Sequence, residues 1–440
     1  MINKLTFFFI FVLLILPISL ITGPAIPDIS ITFSAIFFSF LIFYNKDYKY
    51  LVKNKILLIS LIFWLYLILI SFFAENKYLS FRDAIIFIRI LLIPILVYYL
   101  INQKTKIIEI ILIIILITVL FVTFDTLYQF TNYKSDLGFG KDLLGFSPNW
   151  YGRLTGPFGK ELIPGAYLSK FAFFGLVIFF YKFDYRSYYS FSSIVYLTLV
   201  GLAIFASGER MALATYLMGL VFLLLFFNKK RLIFLFSLVL IILSCFLLKK
   251  IHPFYNDFTI IESTPFHLGL KVEKSFPCQN NNDLNCKKII NLQPEFSQVI
   301  KNFDKSAYGE IYYLALRMFY DHKFLGIGLN NFTYLCKNDE RYKDVMKNYN
   351  CTSHPHNIYL QWLVETGVIG LFIFLFYLLY LFFYIYKKNT EYALISISTL
   401  LVLFWPIMST GSLLKNWNGI STFFIIGVCL LITNLQKKTN

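Results

Sequence analysis

Long apolar runs recur along this chain from one end to the other, and nearly every one ends in Lys, Asn or Asp. A helix needs roughly 20 apolar residues to cross the hydrocarbon of a bilayer. A soluble protein with this pattern would have to bury about a dozen helices that are apolar all round. Composition agrees with the membrane alternative, since 15% of residues are charged against about 25% in an ordinary soluble domain. The expected fold class is therefore all-α: a polytopic membrane protein. Twelve spans are read near 5–22, 29–44, 56–74, 84–101, 107–130, 163–181, 191–207, 211–227, 232–248, 357–386, 393–413 and 418–434. The first run has one basic residue, Lys4, ahead of it and no small-x-small exit near Gly23-Pro24, so it reads as a retained span and not a cleaved signal.

Lys and Arg counts on alternate sides give an orientation. With the N terminus inside, sixteen fall on the inner side: Lys4, Lys46, Lys49, Lys53, Lys55, Lys104, Lys106, Lys182, Arg186, Lys229, Lys230, Arg231, Lys387, Lys388, Lys437 and Lys438. Eight fall in the short outer loops: Lys77, Arg82, Lys134, Lys141, Arg153, Lys160, Arg210 and Lys415. Both termini are thus expected in the cytoplasm. The formal net charge of +16 follows partly from this bias, and nucleic-acid binding is not indicated.

Two outer segments exceed what a connector needs. The first, 131–162, is rich in Gly, Pro and aromatics; the second is expected to form a large cap between spans nine and ten. The expected division is residues 1–248 for nine membrane helices with the 131–162 loop, 249–356 for the cap, and 357–440 for the last three helices. Within the cap, 252–302 reads as irregular. A helix is expected over 306–322, where Tyr308, Ile311, Tyr312, Ala315, Leu316 and Phe319 recur at helical spacing. Four cysteines, Cys278, Cys286, Cys336 and Cys351, lie in the cap, while Cys245 and Cys429 lie in spans. An even number in one exposed segment suggests two disulfides in an oxidising compartment. Three connectivities are possible, the sequence-local one being Cys278–Cys286 with Cys336–Cys351.

No Walker loop, Asp-x-Asp pair or cytoplasmic domain is present to hold ATP or a nucleotide sugar. Chemistry must then use a substrate reached from the membrane or its outer face. Four segments carry ionisable groups at that border, where such groups are costly and often functional. In HPHNIYLQWLVETGVIG (354–370), His356 sits at the mouth of the tenth span, with Pro355 suited to a first helical turn. Asn357, Gln361 and Glu365 follow at i, i+4 and i+8, a polar stripe running inward for about 13 Å. SGER (207–210) puts Arg210 in a tight outer turn. RMFYDHKFLGIGLNNF (317–332) carries Arg317 ahead of a Gly-Ile-Gly turn. RLTGPFGKELIPGAYL (153–168) brings Arg153, Lys160 and Glu161 to the membrane surface, and Arg89 lies inside the fourth span. Each has a bland alternative: an interfacial histidine, interhelical packing glue, or a snorkelling arginine. Yet Arg153, Arg210, Arg317 and His356 all map to one face, and guanidinium forks suit a diphosphate.

These blocks, in this order, resemble the O-antigen ligase and polymerase superfamily, whose members carry His-Asn at the start of the span after a large periplasmic loop. The Arg317-to-Gly328 interval, Arg-x10-Gly, is similar to one that polymerases of the superfamily show. The resemblance implies a metal-independent glycosyltransferase in the inner membrane of a double-membrane bacterium, requiring no cofactor and no ATP. Its donor would be a glycan on undecaprenyl diphosphate and its acceptor a sugar hydroxyl. It implies that Arg210 and Arg317 hold the diphosphate and that His356 deprotonates or orients the acceptor. Arg153, Lys160, Asn357, Glu365 and Arg89 are weaker substrate-binding candidates. The acceptor stays open between lipid A-core (a ligase), a lipid-linked repeat (a polymerase) and a protein; the single very long loop leans towards the ligase. A transporter of lipid-linked sugars would call instead for midplane charges and repeat-related halves, which the sequence does not display.

Overall fold

Almost all of the apolar runs fold as helices in the computed structural model, which describes residues 2–102, 104–134, 138–148, 152–182, 187–256, 259–262, 270–276, 286–292, 296–346, 349–407 and 409–435. Among them, six helices are long and apolar enough to cross a membrane: Ala25–Tyr44, Lys77–Ile101, Thr105–Thr131, Pro164–Tyr181, Asn228–Ile251 and Ile358–Tyr386. Six more apolar helices are shorter, and two of them stop for a visible reason. Ile2–Leu14 gives way at Ile15, two residues before Pro17, and Glu391–Leu403 ends before Pro406. Proline lacks the amide that would continue either ladder. The fourth run begins earlier than the sequence suggests, because Asn76 caps it by accepting from Leu79 N–H. Lys77 and Arg82, expected in an outer loop, are therefore helical.

The chain divides into two compact units. One comprises Met1–Ile114 and Ala307–Asn440; the other is Ile115–Ser306. The boundary at Ala307 falls within the segment 249–356.

In the first unit the central element is Asn416–Ile432, which is buried from Asn418 through Ile432. Such a helix can be apolar on every side because it meets protein on every side. Gly427 lets it approach Pro94 and Val97 closely. The amphipathic helix Ala307–Asp321 buries Ile311, Leu314, Ala315 and Met318. Tyr308 and Leu316, assigned to that face from sequence, are instead more than a third exposed. The buried stripe joins Ile327, Phe332, Leu335, Tyr342 and Val364 in one apolar cluster. A disulfide joins Cys336 to Cys351 beside it. Cys278 and the side chain of Cys286 lie outside the described residues; Cys245 and Cys429 are unpaired.

The second unit contains Pro164–Lys182, Ser187–Ala206, Arg210–Phe226 and Arg231–Ile251. Where the sequence reads as irregular, backbone pairing gives a three-stranded antiparallel sheet of Thr259–Glu262, Leu270–Phe276 and Cys286–Leu292. The 131–162 loop is folded back onto its helix. Buried Gln129 accepts from the N–H groups of Thr155 and Gly156 and donates to Thr155 Oγ1 and the Phe146 carbonyl. One side chain thereby satisfies four polar groups that would otherwise be costly to bury.

Candidate functional site

The segment before Ile358–Tyr386 holds two histidines in different states. His354 is buried, its Nδ1 2.8 Å from Ser353 Oγ and its Nε2 3.2 Å from the Thr410 carbonyl. A carbonyl only accepts, so Nε2 carries the proton and Nδ1 accepts from the serine. Burial and the neighbouring His356 push His354 down to about 4. The His356 ring lies against it, tilted by 43° at 4.2 Å between ring centroids, and remains partly exposed. Its ring nitrogens have no hydrogen-bond partner among the described residues, and burial lowers its pKa as well. The Tyr308 ring stands edge-on to it at 6.1 Å, with the tyrosine hydroxyl accepting from Ser409. His356 is held at φ +56°, an uncommon conformation for a non-glycine residue. Thr410 N–H donates to its carbonyl at 2.8 Å and fixes that bend. The result is a neutral, accessible imidazole on a rigid loop, suited to receiving a proton at neutral pH.

Asn357 serves the helix. Its Oδ1 accepts from Leu360 N–H and its Nδ2 donates to the Pro406 carbonyl. The cap starts the helix at Ile358, so Pro355 precedes it and does not occupy the first turn. Gln361 Nε2 donates to Ser412 Oγ at 2.7 Å and lies 3.3 Å from Glu365 Oε2. Glu365 is fully buried.

Directly after Glu365 the helix breaks. Gly367 takes φ +67°, ψ −175°, a region essentially open to glycine alone. The Gly-Ile-Gly turn pairs with the opened backbone: Ile327 N–H donates to Val364 O, Gly328 N–H to Glu365 O, and Val368 N–H to Lys323 O. Unmet carbonyls inside an apolar bundle are expensive, and the turn supplies their partners. Gly326 has no room for a side chain, since an added Cβ would meet the Glu365 backbone.

Arg317 is exposed, makes no ion pair among the described residues, and lies nine residues along its helix from Tyr308, about 13 Å by helix rise. No described contact joins it to His356. Arg89 is occupied internally: it pairs with Asp28 at 2.5 Å and donates to Thr32 and Asn416.

In the second unit Arg210 is exposed at the start of its helix, and Lys160 is exposed in its loop. Arg153 donates to the Leu162 carbonyl and lies 3.8 Å from Glu209. Glu209 accepts from Gly165 and Ala166 N–H, capping Pro164–Lys182 from another loop. Burial pushes its carboxyl up to about 7, against the pull of Arg153, the two N–H groups and Lys170. Glu209, Lys170 and His354 are not among the residues that the sequence patterns above single out. Lys170, a lysine inside an apolar span, was the available signal.

A predominantly helical chain with six helices of crossing length, and with polar loops organised at helix ends, defines a multi-pass membrane protein. Residues 194–375 match the O-antigen ligase family model. That match supports placing the chain in the O-antigen ligase and polymerase superfamily, with a glycosyltransferase-like activity. It covers Arg210, Arg317, His356, Glu365 and Gly367, whereas Arg89, Arg153 and Lys160 fall outside it. No curated protein matches the chain.

The lowered pKa of His356 makes a pH prediction. Its base form persists below the ordinary histidine value of 6.5, so a rate profile governed by this imidazole should have its acid limb below 6.5. An acid limb centred above 6.5 would mean that a different group accepts the proton.

Proposed function

We propose that this chain transfers a glycan from an undecaprenyl-diphosphate-linked donor to a sugar hydroxyl on lipid A-core, at the periplasmic face of the bacterial inner membrane. In this reading all twelve apolar helices cross the membrane, both termini are cytoplasmic, and 249–356 faces the periplasm. The observation that carries it is the family match falling on the His356 loop, where a neutral imidazole stands partly exposed at a helix mouth.

The acceptor oxygen attacks the anomeric carbon while the bond to the diphosphate oxygen breaks. His356 takes the acceptor's proton, and undecaprenyl diphosphate leaves with the negative charge. Arg317 binds that diphosphate, because a guanidinium set against developing charge favours the transition state. Exposure of Arg317 supports this role. Arg317→Lys keeps the charge but loses the planar fork, so transfer should drop about tenfold or more at unchanged protein abundance. Undiminished transfer would remove Arg317 from the donor site.

A polymerase, passing the chain to a second lipid-linked repeat, is the other reading, favoured by the Arg317-x10-Gly328 spacing. Lipopolysaccharide electrophoresis after gene deletion separates the two. Loss of all polymer from core supports the ligase; core bearing a single repeat supports the polymerase.

A further inference from the structure

The first unit contains an apolar groove whose polar border no part of the proposed transfer uses. It encloses about 210 Å³ and is lined by Phe38, Ile42, Leu51, Leu57, Ile88 and Leu92. The one hydroxyl on its wall, Ser39 Oγ, already donates to the Ala35 carbonyl at 3.0 Å. The groove therefore offers water nothing to bond and suits hydrocarbon. It lies where the helix beginning at Lys77 is interrupted at Leu92, ahead of Pro94. Proline removes an amide and disturbs straight continuation, and Ala25–Tyr44 and Lys55–Ser71 supply the other walls of the groove.

One end of this groove meets the segment 45–54, and that segment is tied down. Tyr99 Oη donates to Asp47 Oδ2 at 2.7 Å, Asn45 Nδ2 donates to Tyr99 Oη, and Tyr50 packs edge-on to Tyr99 at 5.0 Å. The single acidic group there is thus engaged by a tyrosine. Lys46, Lys49, Lys53 and Lys55 stand exposed around it, with no ion pair among the described residues. Four cations at the end of a dry hydrocarbon slot match one molecular shape: a negatively charged headgroup with an acyl chain.

We infer that this groove binds an anionic phospholipid, one acyl chain lying along the exposed and half-buried lining residues Phe43, Leu51, Leu61 and Leu92 and the phosphate among the four lysines. A zwitterionic lipid of the same chains meets the same wall but gains less from the lysines. This assignment is independent of the transfer reaction.

The test uses the full-length protein purified in detergent, titrated with dioleoyl phosphatidylglycerol or dioleoyl phosphatidylcholine and followed by thermal unfolding and native mass spectrometry. Phosphatidylglycerol should bind about tenfold or more tightly, a preference that shrinks with added salt. K46Q/K49Q/K53Q/K55Q should bind both lipids alike while unfolding at the wild-type temperature without lipid. Ser39→Leu, which fills the groove, should weaken both lipids; Leu61→Trp, at a half-buried lining residue, provides a second filling variant should the first fold poorly. Equal binding of the two lipids by the wild type would overturn the assignment. So would a preference that survives loss of all four lysines, or an equal effect from glycerol phosphate without chains.

Discussion

His356→Ala should abolish glycan transfer, by about 10²- to 10⁴-fold where a positioned general base is lost, and leave the protein folded at normal membrane abundance. The expectation follows from the division of labour at the helix mouth. The loop is held by backbone and by neighbours: Thr410 N–H on the His356 carbonyl, His354 on the Thr410 carbonyl, and Asn357 on the helix cap. The imidazole of His356 contributes no described hydrogen bond to that framework. Removing it deletes the imidazole and its ring contacts with His354 and Tyr308, but no described hydrogen bond. The check is an in-vitro transfer assay beside a thermal unfolding curve and a donor-binding measurement. A fully active His356→Ala protein would rule out a role for this imidazole in the chemistry. An inactive variant that had also lost its unfolding transition would point to a structural role.

Gly367→Ala should do the opposite and cost the fold itself. Alanine at φ +67°, ψ −175° carries backbone strain of about 1–3 kcal/mol, and its Cβ would overlap the Phe324 carbonyl. Asparagine, which often rescues left-handed positions near ψ +45°, should not rescue this one, because its ψ lies far from that basin. The combined loss should be roughly 3 kcal/mol or more, a large share of the stability of most domains. Thermal unfolding and membrane abundance measure it directly. A Gly367→Ala protein with an unchanged unfolding temperature would mean the helix can pass through this point without a break.

The apolar helices were legible from sequence because a run of Leu, Ile and Phe has few ways to escape water. Their true ends were less so. Asn76 and Asn357 set helix starts by capping, and Leu92–Pro94 interrupts a run that hydropathy reads as continuous. His356 stood out by type and place, whereas His354, two residues away, did not. Its role depends on the Thr410 carbonyl, brought from 56 residues along the chain. Glu209 is similar: within SGER the arginine attracts notice, yet the carboxylate caps a helix 43 and 44 residues back. Gln129 looked like the tail of an apolar span until its four partners in the 131–162 loop were visible. Long-range polar pairing leaves no periodic trace in one sequence. The small sheet of Thr259–Glu262, Leu270–Phe276 and Cys286–Leu292 is not legible in the sequence, because its strands lie among Asn- and Pro-bearing stretches that mask any alternation.

The paired backbone at the break also fixes a register between two distant stretches of chain. Val364 and Glu365 must present their carbonyls where Ile327 and Gly328 arrive, and Lys323 must meet Val368 on the far side. From Asn357 to that point the helix has room for about two turns. One residue more or fewer would rotate the carbonyls about 100° away from the turn. The interval from His356 to Gly367 is therefore a mechanical length, and so is that from Lys323 to Gly328. Insertions and deletions in either interval disengage the two stretches from each other, whatever side chains they carry.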